Sequence, residues 1–561
     1  MSIFSRNKRR NIEVEPDEIF LDSRNLPDFN TQQFEGRIEK PISKNVIVAL
    51  GIAFAFVGIA FMWQLSVLQI KKGEAFYERS ENNSLNKKPF FANRGVIYDR
   101  NGKELAWNTE NTNGESFLTR GYIKDPGFAH ILGYVGYPAK DKSGNYWQSE
   151  LVGKDGVEKV YNDVLKGVNG TQIMETNAKG EVQSTNTIDP PKDGENLTLS
   201  IDAGIQAELY RSIELLANQG NFKGGAAVMM DVHTGEVLAL TNYPEYSSEV
   251  MSLGTDKEKI NEYLTGKDKV LLNRAVSGLY TPGSIVKPFL AIGALAEGVI
   301  TPNKVIYTTG SISIPNPYNK NEKTIFRDWK NHGPVDMRKA IADSSDVYFY
   351  EISGGFQDQK GMGIANIEKY SRLFGIGEKT GINLLGEKSG TIPNPEWKKK
   401  MFNGDIWRVG DTYHTSIGQY GYQVTPLEMV RATAAIANGG VLLTPHLLAG
   451  ESSQDDSRKI DLPEEYFQVV KEGMRQAVTS GTASSISSPL VKIAAKTGTA
   501  QVGISKQYVN TWVIGFFPYD NPKYAFTLLM ENGPANNSTK AVYIMKNLLE
   551  WMTVHAPEYM Q

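Results

Sequence analysis

The sequence has no cysteine at any of its 561 positions. That absence excludes a thiol nucleophile, disulfide bridges and Cys-ligated metals together. It suits an export route on which stray thiols are a liability, although cytosolic chains lack cysteine too. Histidine is nearly as scarce: six residues lie scattered, with no i, i+4 pair, so no zinc site is read and no metal or cofactor is expected. An excess of either charge is missing as well. The 60 basic and 63 acidic side chains leave a formal net charge of −3, which offers nucleic acid no broad electropositive surface. No internal repeat of fixed period is visible, which sets aside solenoids and propellers.

What is present begins with one apolar run. Val46 to Trp63, VIVALGIAFAFVGIAFMW, holds no charged or strongly polar residue, and Leu65 to Ile70 extends it. Such a length spans a bilayer as a helix. The bulky LQIKKG that follows is unlike a signal-peptide cleavage site, so residues 46–70 are expected to stay as an anchor. Lysine and arginine tie on its near flanks, and the cluster Arg6, Lys8, Arg9 and Arg10 tips the balance toward a cytoplasmic tail over residues 1–45. The rest then lies outside the cytoplasm on a single-pass protein.

Two folded regions are expected beyond the anchor. Residues 71–195 are rich in Asn, Gly and Lys, with short strand-like runs GVIYDR and HILGYVGY and a turn-forming DPPKDGE at the end; they read as an irregular juxtamembrane pedestal. From 196 to 561 the texture changes. Asp202 is a fair N-cap to a helix with Ile205, Leu209, Ile213 and Leu216 on one face. AAVMMDVHTGEVLALTNYP reads as two strands around a turn at His233 to Gly235, VKIAAKTGTAQV, NTWVIGFFPYD and YAFTLLMEN as three more, and TKAVYIMKNLLEWMTV as a closing helix. Strands at both ends with helices between them predict an α+β domain, one sheet assembled from distant segments with a helical insert.

Inside that insert lies TPGSIVKP, residues 281–288. Ser284 and Lys287, at i and i+3, share one helix face with Cβ atoms about 5–6 Å apart, close enough for the amine to take the hydroxyl proton. Pro288 is tolerated only in a first turn. Ser284 therefore falls at a helix start, where free N–H groups meet charge developing on attack. Spacing alone does not separate this from an ordinary helix start: Ser-x-x-Lys also occurs at Ser5 to Lys8 and Ser84 to Lys87. Lys-Thr-Gly occurs twice, at Lys379 to Gly381 in a Gly-rich loop and at Lys496 to Gly498 in an apolar strand. GINLLGEKS fails as a phosphate loop, because Glu387 stands where that motif needs lysine.

Combination and order single out three motifs. TPGSIVKP, then IADSSDVYFYEI, then AAKTGTAQV resemble the active-site motifs of the penicillin-binding proteins, the serine D,D-transpeptidases of bacterial cell walls. NRGVIYDRNGKELA, GKDGVEKVYNDVLKGVNG, GGAAVMMDVHTGEVLAL and SIGQYGYQVTPLEMVRATAAIANGG look like class B members, so the resemblance covers most of residues 46–561. TPGSIVKP, SSDVYFYE, SIGQ and KTGTAQV look most like the elongation-type penicillin-binding protein 2. The resemblance implies a β-lactamase/transpeptidase-like fold, an antiparallel sheet flanked by helices plus a helical subdomain. It also implies an N-terminal transmembrane helix and an elongated pedestal of dimerisation type.

The same resemblance implies roles. Ser284 is the nucleophile that attacks the carbonyl between the terminal D-alanines of a stem peptide, Lys287 its base, and Ser344 a proton shuttle between Lys287 and Lys496. Asp346 stands where division-type relatives usually carry Asn. Thr497 and Thr499 are placed on the substrate's terminal carboxylate, and Gly498 admits its backbone to a strand edge. The N–H groups of Ser284 and Thr499 form the oxyanion hole. No segment resembles a glycosyltransferase, so the expected reaction is crosslinking without polymerisation. Implied partners are the D-Ala-D-Ala donor and amine acceptor peptides of peptidoglycan, β-lactams, and a SEDS-family glycan polymerase with other wall-synthesis membrane proteins. The implied location is the bacterial inner membrane, with catalysis on the periplasmic side.

Two other functions stay open at this point. The same acyl-enzyme serves a D,D-carboxypeptidase or β-lactamase-type hydrolase, and the fold also serves a non-catalytic β-lactam sensor or scaffold. Ordinary readings stand beside the site residues too. Ser344 suits an N-cap to VYFYEIS, and Lys496 a strand lysine snorkelling to solvent. Arg94, Asp99, Arg100 and Glu158 read as ion pairs holding the pedestal to the head, and His233 and His414 as turn or core residues.

Overall fold

The computed structural model describes residues 43–74, 85–111, 114–176, 182–319, 321–451 and 457–561. The tail through residue 42, whose basic cluster carries the expected orientation, lies outside them. The chain divides into two units, Met1–Asn86 with Met174–Ser184, and Lys87–Ile173 with Thr185–Gln561.

Helix α1 (Lys44–Ser66) belongs to the first unit and is capped by Ser43, whose Oγ accepts from Val46 N. It runs on through a π turn to Lys71, 28 residues in all. At about 1.5 Å per residue that exceeds the roughly 30 Å of bilayer hydrocarbon. None of its residues is buried, and Phe54, Phe61 and Trp63 stand fully outward. Among the described residues it is the one helix long and apolar enough to cross a membrane.

In the second unit a small sheet carries the pedestal. Strands β1 (Ile97–Tyr98), β2 (Glu104–Thr109) and β3 (Thr119–Tyr122) pair antiparallel, and β4 (Leu197–Thr198) joins β1 in parallel. The run HILGYVGY is only partly a strand. Ala129–Leu132 is a helical turn ended by Gly133 at φ +76, and extended pairing begins at Val135. The four charges divide between two jobs. Arg94 and Glu158 pair inside the pedestal, with Arg120 as a third member, whereas Asp99 Oδ2 accepts from Ala203 N and Arg100 reaches Glu236, both in the head.

The head opens with α2 (Ala203–Gly220), capped by Asp202 Oδ1, which accepts from Gly204 N and Ile205 N. Strands β5 (Gly224–Asp231) and β6 (Val237–Tyr243) form the expected hairpin, with His233 in its turn. Helix α3 (Lys287–Ala296) carries the nucleophile segment, α4 (Asp346–Gly354) the second motif, and α5 (Pro426–Ala437) and α6 (Glu464–Thr479) complete the insert. Strands β7 (Ala494–Val502), β8 (Tyr508–Phe517) and β9 (Tyr524–Pro534) form a meander, and α7 (Val542–His555) closes the chain.

β9 docks beside β5, giving one antiparallel sheet in the order β6-β5-β9-β8-β7. Alternation along the strands then splits the core in two. Ala226, Val228, Met230, Trp512 and Ile514 face the cluster containing α3 and α5, while Ala227, Met229, Val513 and Leu528 face α2 and α7. β7 is left at the sheet edge, and that edge is where the site is built.

Candidate active site

Close backbone approaches hold the nucleophile segment against β7. Gly283, at φ +59, opens a 3-10 turn over Gly283–Val286 that passes into α3 at Lys287, with Pro288 in its first turn. The expected helix start is thus a 3-10 turn followed by α-helix, and i, i+3 residues eclipse in such a turn. Gly283 N donates to Gly418 O at 3.0 Å, tying the turn to the SIGQ segment. Trp512 Nε1 donates to Thr281 O at 3.0 Å, tying it to the sheet. A Cβ at Gly498 would lie 2.9 Å from both Pro282 O and Ile285 Cγ2. The space that Gly498 leaves is therefore filled by the nucleophile turn itself.

Both lysines are wholly buried. Lys287 Nζ donates to Asp346 Oδ1 at 2.5 Å and to Ser344 O at 2.9 Å, with Ser344 Oγ at the long limit of 3.5 Å. Lys496 Nζ donates to Ser344 Oγ at 2.7 Å and to Thr497 O at 2.7 Å. Burial, and then the Lys287 ammonium, hold the Lys496 amine well below the ordinary lysine range, with Asp346 pulling the other way. Lys496 does not snorkel.

Ser344 joins the two lysines from a left-handed backbone, φ +58, a conformation that costs a non-glycine residue about 1 kcal/mol or more. Its neighbour supplies the cap: Ser345 Oγ accepts from Tyr348 N and donates to Asp328 Oδ2 at 2.9 Å. The N-cap reading of Ser344 is thereby displaced by one residue, which leaves the Ser344 hydroxyl to the lysines. Ser284 is half-buried, and among the described residues its Oγ has no hydrogen-bond partner.

Thr499 O faces Gly283, at 2.8 Å from where a Cβ there would sit. N–H and C=O of one residue in an antiparallel strand point the same way, so the Thr499 N–H is directed off the sheet toward the nucleophile turn. A cleft of about 300 Å³ has Ser284, Ser344, Asp346, Thr497, Gly498 and Thr499 on its wall. Lys287 and Lys496 lie behind it, so all eight predicted positions converge. A larger surface cavity of about 530 Å³, lined in part by Tyr263, Lys388 and Glu531, contains none of them.

Several participants carry no local signal in the sequence. Asp328 Oδ2 accepts from Val347 N as well as Ser345 Oγ, both at 2.9 Å, so a buried carboxylate fixes the start of α4. Thr497 Oγ1 donates to Thr482 Oγ1 at 2.8 Å, and Thr482 N donates to Ala342 O. Trp329, Trp512, Lys540 and Val542 complete the cleft wall. His414 is neither turn nor core. It lies on the short helix Val409–Ser416 with its ring against Phe326 and Tyr420.

A model of the penicillin binding protein transpeptidase domain matches residues 225–550, more than half of the sequence, and one of the penicillin-binding protein dimerisation domain matches residues 113–199. The chain belongs to the penicillin-binding protein transpeptidase family. The peptidoglycan D,D-transpeptidase MrdA of Haemophilus influenzae is 29% identical over 641 aligned positions, covering 94% of this chain and 95% of the relative. The penicillin-binding protein PBP2 of Helicobacter pylori, solved in complex with MreC, superposes with a TM-score of 0.67 at 29% identity, covering 84% of this chain and 98% of that one. A chain from a peptidoglycan synthase complex that coordinates polymerization and crosslinking superposes with a TM-score of 0.70 at 26% identity, covering 90% and 98%. The transpeptidase fold, with its antiparallel sheet, helical insert and apolar N-terminal helix, is the one the motifs implied.

Proposed function

We propose that this chain is a membrane-anchored peptidoglycan D,D-transpeptidase that crosslinks stem peptides through a serine acyl-enzyme, in cell elongation and shape maintenance, and that β-lactams acylate the same serine. The observation that carries the reading is the continuous polar chain Lys287, Ser344, Lys496 behind Ser284 in one cleft. Ser284 Oγ attacks the carbonyl carbon of the penultimate D-alanine, and its proton passes to the Lys287 amine. Lys287 must first be neutral. The Ser344 hydroxyl lies between the two lysine amines and can hand a proton from one to the other. The oxyanion meets the N–H groups of Ser284 and Thr499. As the C–N bond breaks, Ser344 delivers a proton to the departing D-alanine amine. An acceptor amine from a neighbouring peptide then attacks the ester, and the hydroxyl of Ser284 is restored.

The domain division follows the same reading: tail 1–45, anchor 46–70, pedestal 71–195 and transpeptidase 196–561. The dimerisation-domain match over residues 113–199, nearly all of it in the pedestal, supports it. The anchor runs once through the bacterial inner membrane with the catalytic head on the periplasmic side. Partners are a glycan polymerase of the SEDS family and other wall-synthesis membrane proteins, a reading supported by similar chains solved with MreC and in a peptidoglycan synthase complex.

Covalent labelling of the purified full chain with a fluorescent penicillin tests the acyl-enzyme. An adduct on Ser284, found by mass spectrometry and lost in Ser284→Ala, is expected. A folded wild-type chain without adduct returns the sensor or scaffold reading to the front. Incubation with donor and acceptor peptides then separates transfer from hydrolysis: a crosslinked dimer supports transpeptidation, and free tetrapeptide alone supports a carboxypeptidase.

A further inference from the structure

We propose that Lys540 is the cation that recognises the terminal carboxylate of the donor peptide, a specificity-determining residue that rests on the transpeptidase reading above. Lys540 lines the cleft together with Thr482, Thr497 and Thr499. Its place is set through its neighbour: Ala541 N donates to Thr511 Oγ1 at 2.9 Å. Thr511 lies directly opposite Thr499 in the β7–β8 ladder, so its side chain is on the same sheet face as that of Thr499. Thr511, Ala541 and Val542 are all buried. The backbone at Lys540 is thus docked one strand away from the hydroxyls of Thr497 and Thr499, while its side chain stays exposed.

The other two cations of the site are spoken for. Lys287 holds Asp346 and Ser344 O, and Lys496 holds Ser344 Oγ and Thr497 O. Both are sealed from solvent behind the cleft wall. A carboxylate entering the cleft reaches neither without breaking those bonds. Lys540, by contrast, has no carboxylate within 4.0 Å among the described residues. The threonine hydroxyls orient a carboxylate but carry no charge, and Thr497 and Thr482 already hydrogen-bond to each other. An ammonium on a flexible four-carbon stem supplies the missing charge. The ordinary reading of an exposed lysine, a solvated surface charge, predicts no preference for acid over neutral ligands.

The test compares two probes on the full chain in detergent: benzylpenicillin, whose carboxylate stands in for that of the peptide, and its methyl ester. Second-order rates of Ser284 acylation are measured for wild type, Lys540→Gln and Lys540→Arg. Lys540→Gln is expected to slow the acid about tenfold and the ester less than about twofold, with Lys540→Arg restoring most of the loss. The acid-specific loss shrinks as salt is raised. Equal slowing of acid and ester, or no slowing of the acid, overturns the proposal while leaving the acyl-enzyme intact. A wild-type chain that takes up neither probe at Ser284 overturns the transpeptidase reading, and this proposal with it.

Discussion

Lys287 Nζ lies 2.5 Å from Asp346 Oδ1, the lysine wholly buried and the aspartate partly exposed. A carboxylate at this position gives Lys287 a counter-charge as well as a hydrogen-bond acceptor, where an asparagine gives only the acceptor. Two substitutions separate those contributions. Asp346→Asn keeps an oxygen for Lys287 and is expected to hold the penicillin acylation rate within about tenfold of wild type. Asp346→Ala leaves a buried ammonium facing the Ser344 oxygens and the Phe349 ring without a counter-charge, and should lower that rate more than about a hundredfold and cost about 2–3 kcal/mol of stability, less than a fully buried pair because the carboxylate is partly solvated. Equal losses in the two variants would show that charge, and not the hydrogen bond, is what the site needs.

Lys496 makes the head less stable than it would be without the charge. Its amine is held well below 10.5 by burial and by the Lys287 ammonium. Between that lowered value and 10.5 the unfolded chain binds a proton that the native chain does not, so stability rises with pH through this window. Lys496→Met is therefore expected to be about 1–3 kcal/mol more stable than wild type at pH 7, with the gap closing toward pH 10, and to lose labelling at Ser284. Thermal unfolding of both chains across that pH range reads the difference. A less stable variant at pH 7 would mean that the bonds to Ser344 and Thr497 outweigh the cost of burial.

Gly498 separates shape from chemistry. An added Cβ meets Pro282 O and Ile285 Cγ2 at 2.9 Å, and neither backbone nor packed side chain yields easily there. Gly498→Ala should push β7 away from the nucleophile turn and move the Thr499 N–H relative to Ser284. Acylation is expected to fall about 10- to 100-fold, the range seen for small displacements in catalytic geometry, while the unfolding temperature changes little. Unchanged acylation kinetics would show that the strand and turn have slack that the static geometry does not reveal.

Much of this was legible in the sequence because it depends on local pattern. Asp202 caps α2 as its position before an amphipathic run predicts, and the alternation in β5, β8 and β9 is the division of the core into two clusters. Lys496 stood out as a lone charge in an apolar strand. Ser344 and Ser345 were indistinguishable as caps, because the left-handed φ that sets them apart has no signature in residue type. Asp328, Thr482 and Lys540 reach the site through contacts such as Asp328 to Ser345, Thr482 to Thr497 and Thr511 to Ala541, which only the closed sheet brings about. Arg94 and Glu158 were legible as structural charges bridging pedestal and head, but not as partners of each other inside the pedestal, and Arg120 gave no signal as the third member.

That third member makes the pedestal's charge cluster a strong test of what holds the region together. Glu158 accepts from Arg94 Nε at 2.5 Å and from Arg120 Nε at 2.7 Å, with all three side chains essentially without solvent access. Arg94 is further held by the carbonyls of Glu158 and Leu151 and by Asn162 Oδ1. Glu158→Ala leaves two guanidiniums buried without a counter-charge, and breaking such a cluster costs about 3–5 kcal/mol. Glu158→Gln keeps one acceptor and should cost less. The loss belongs to the pedestal, since none of these groups touches the cleft wall. Hydrogen exchange is therefore expected to quicken over residues 94–165 in Glu158→Ala, while penicillin labelling at Ser284, counted per folded molecule, stays within about twofold of wild type. If labelling falls in step with the exchange, the pedestal controls the catalytic cleft, and Asp99 and Arg100, which reach Ala203 and Glu236 in the head, become the residues to substitute next.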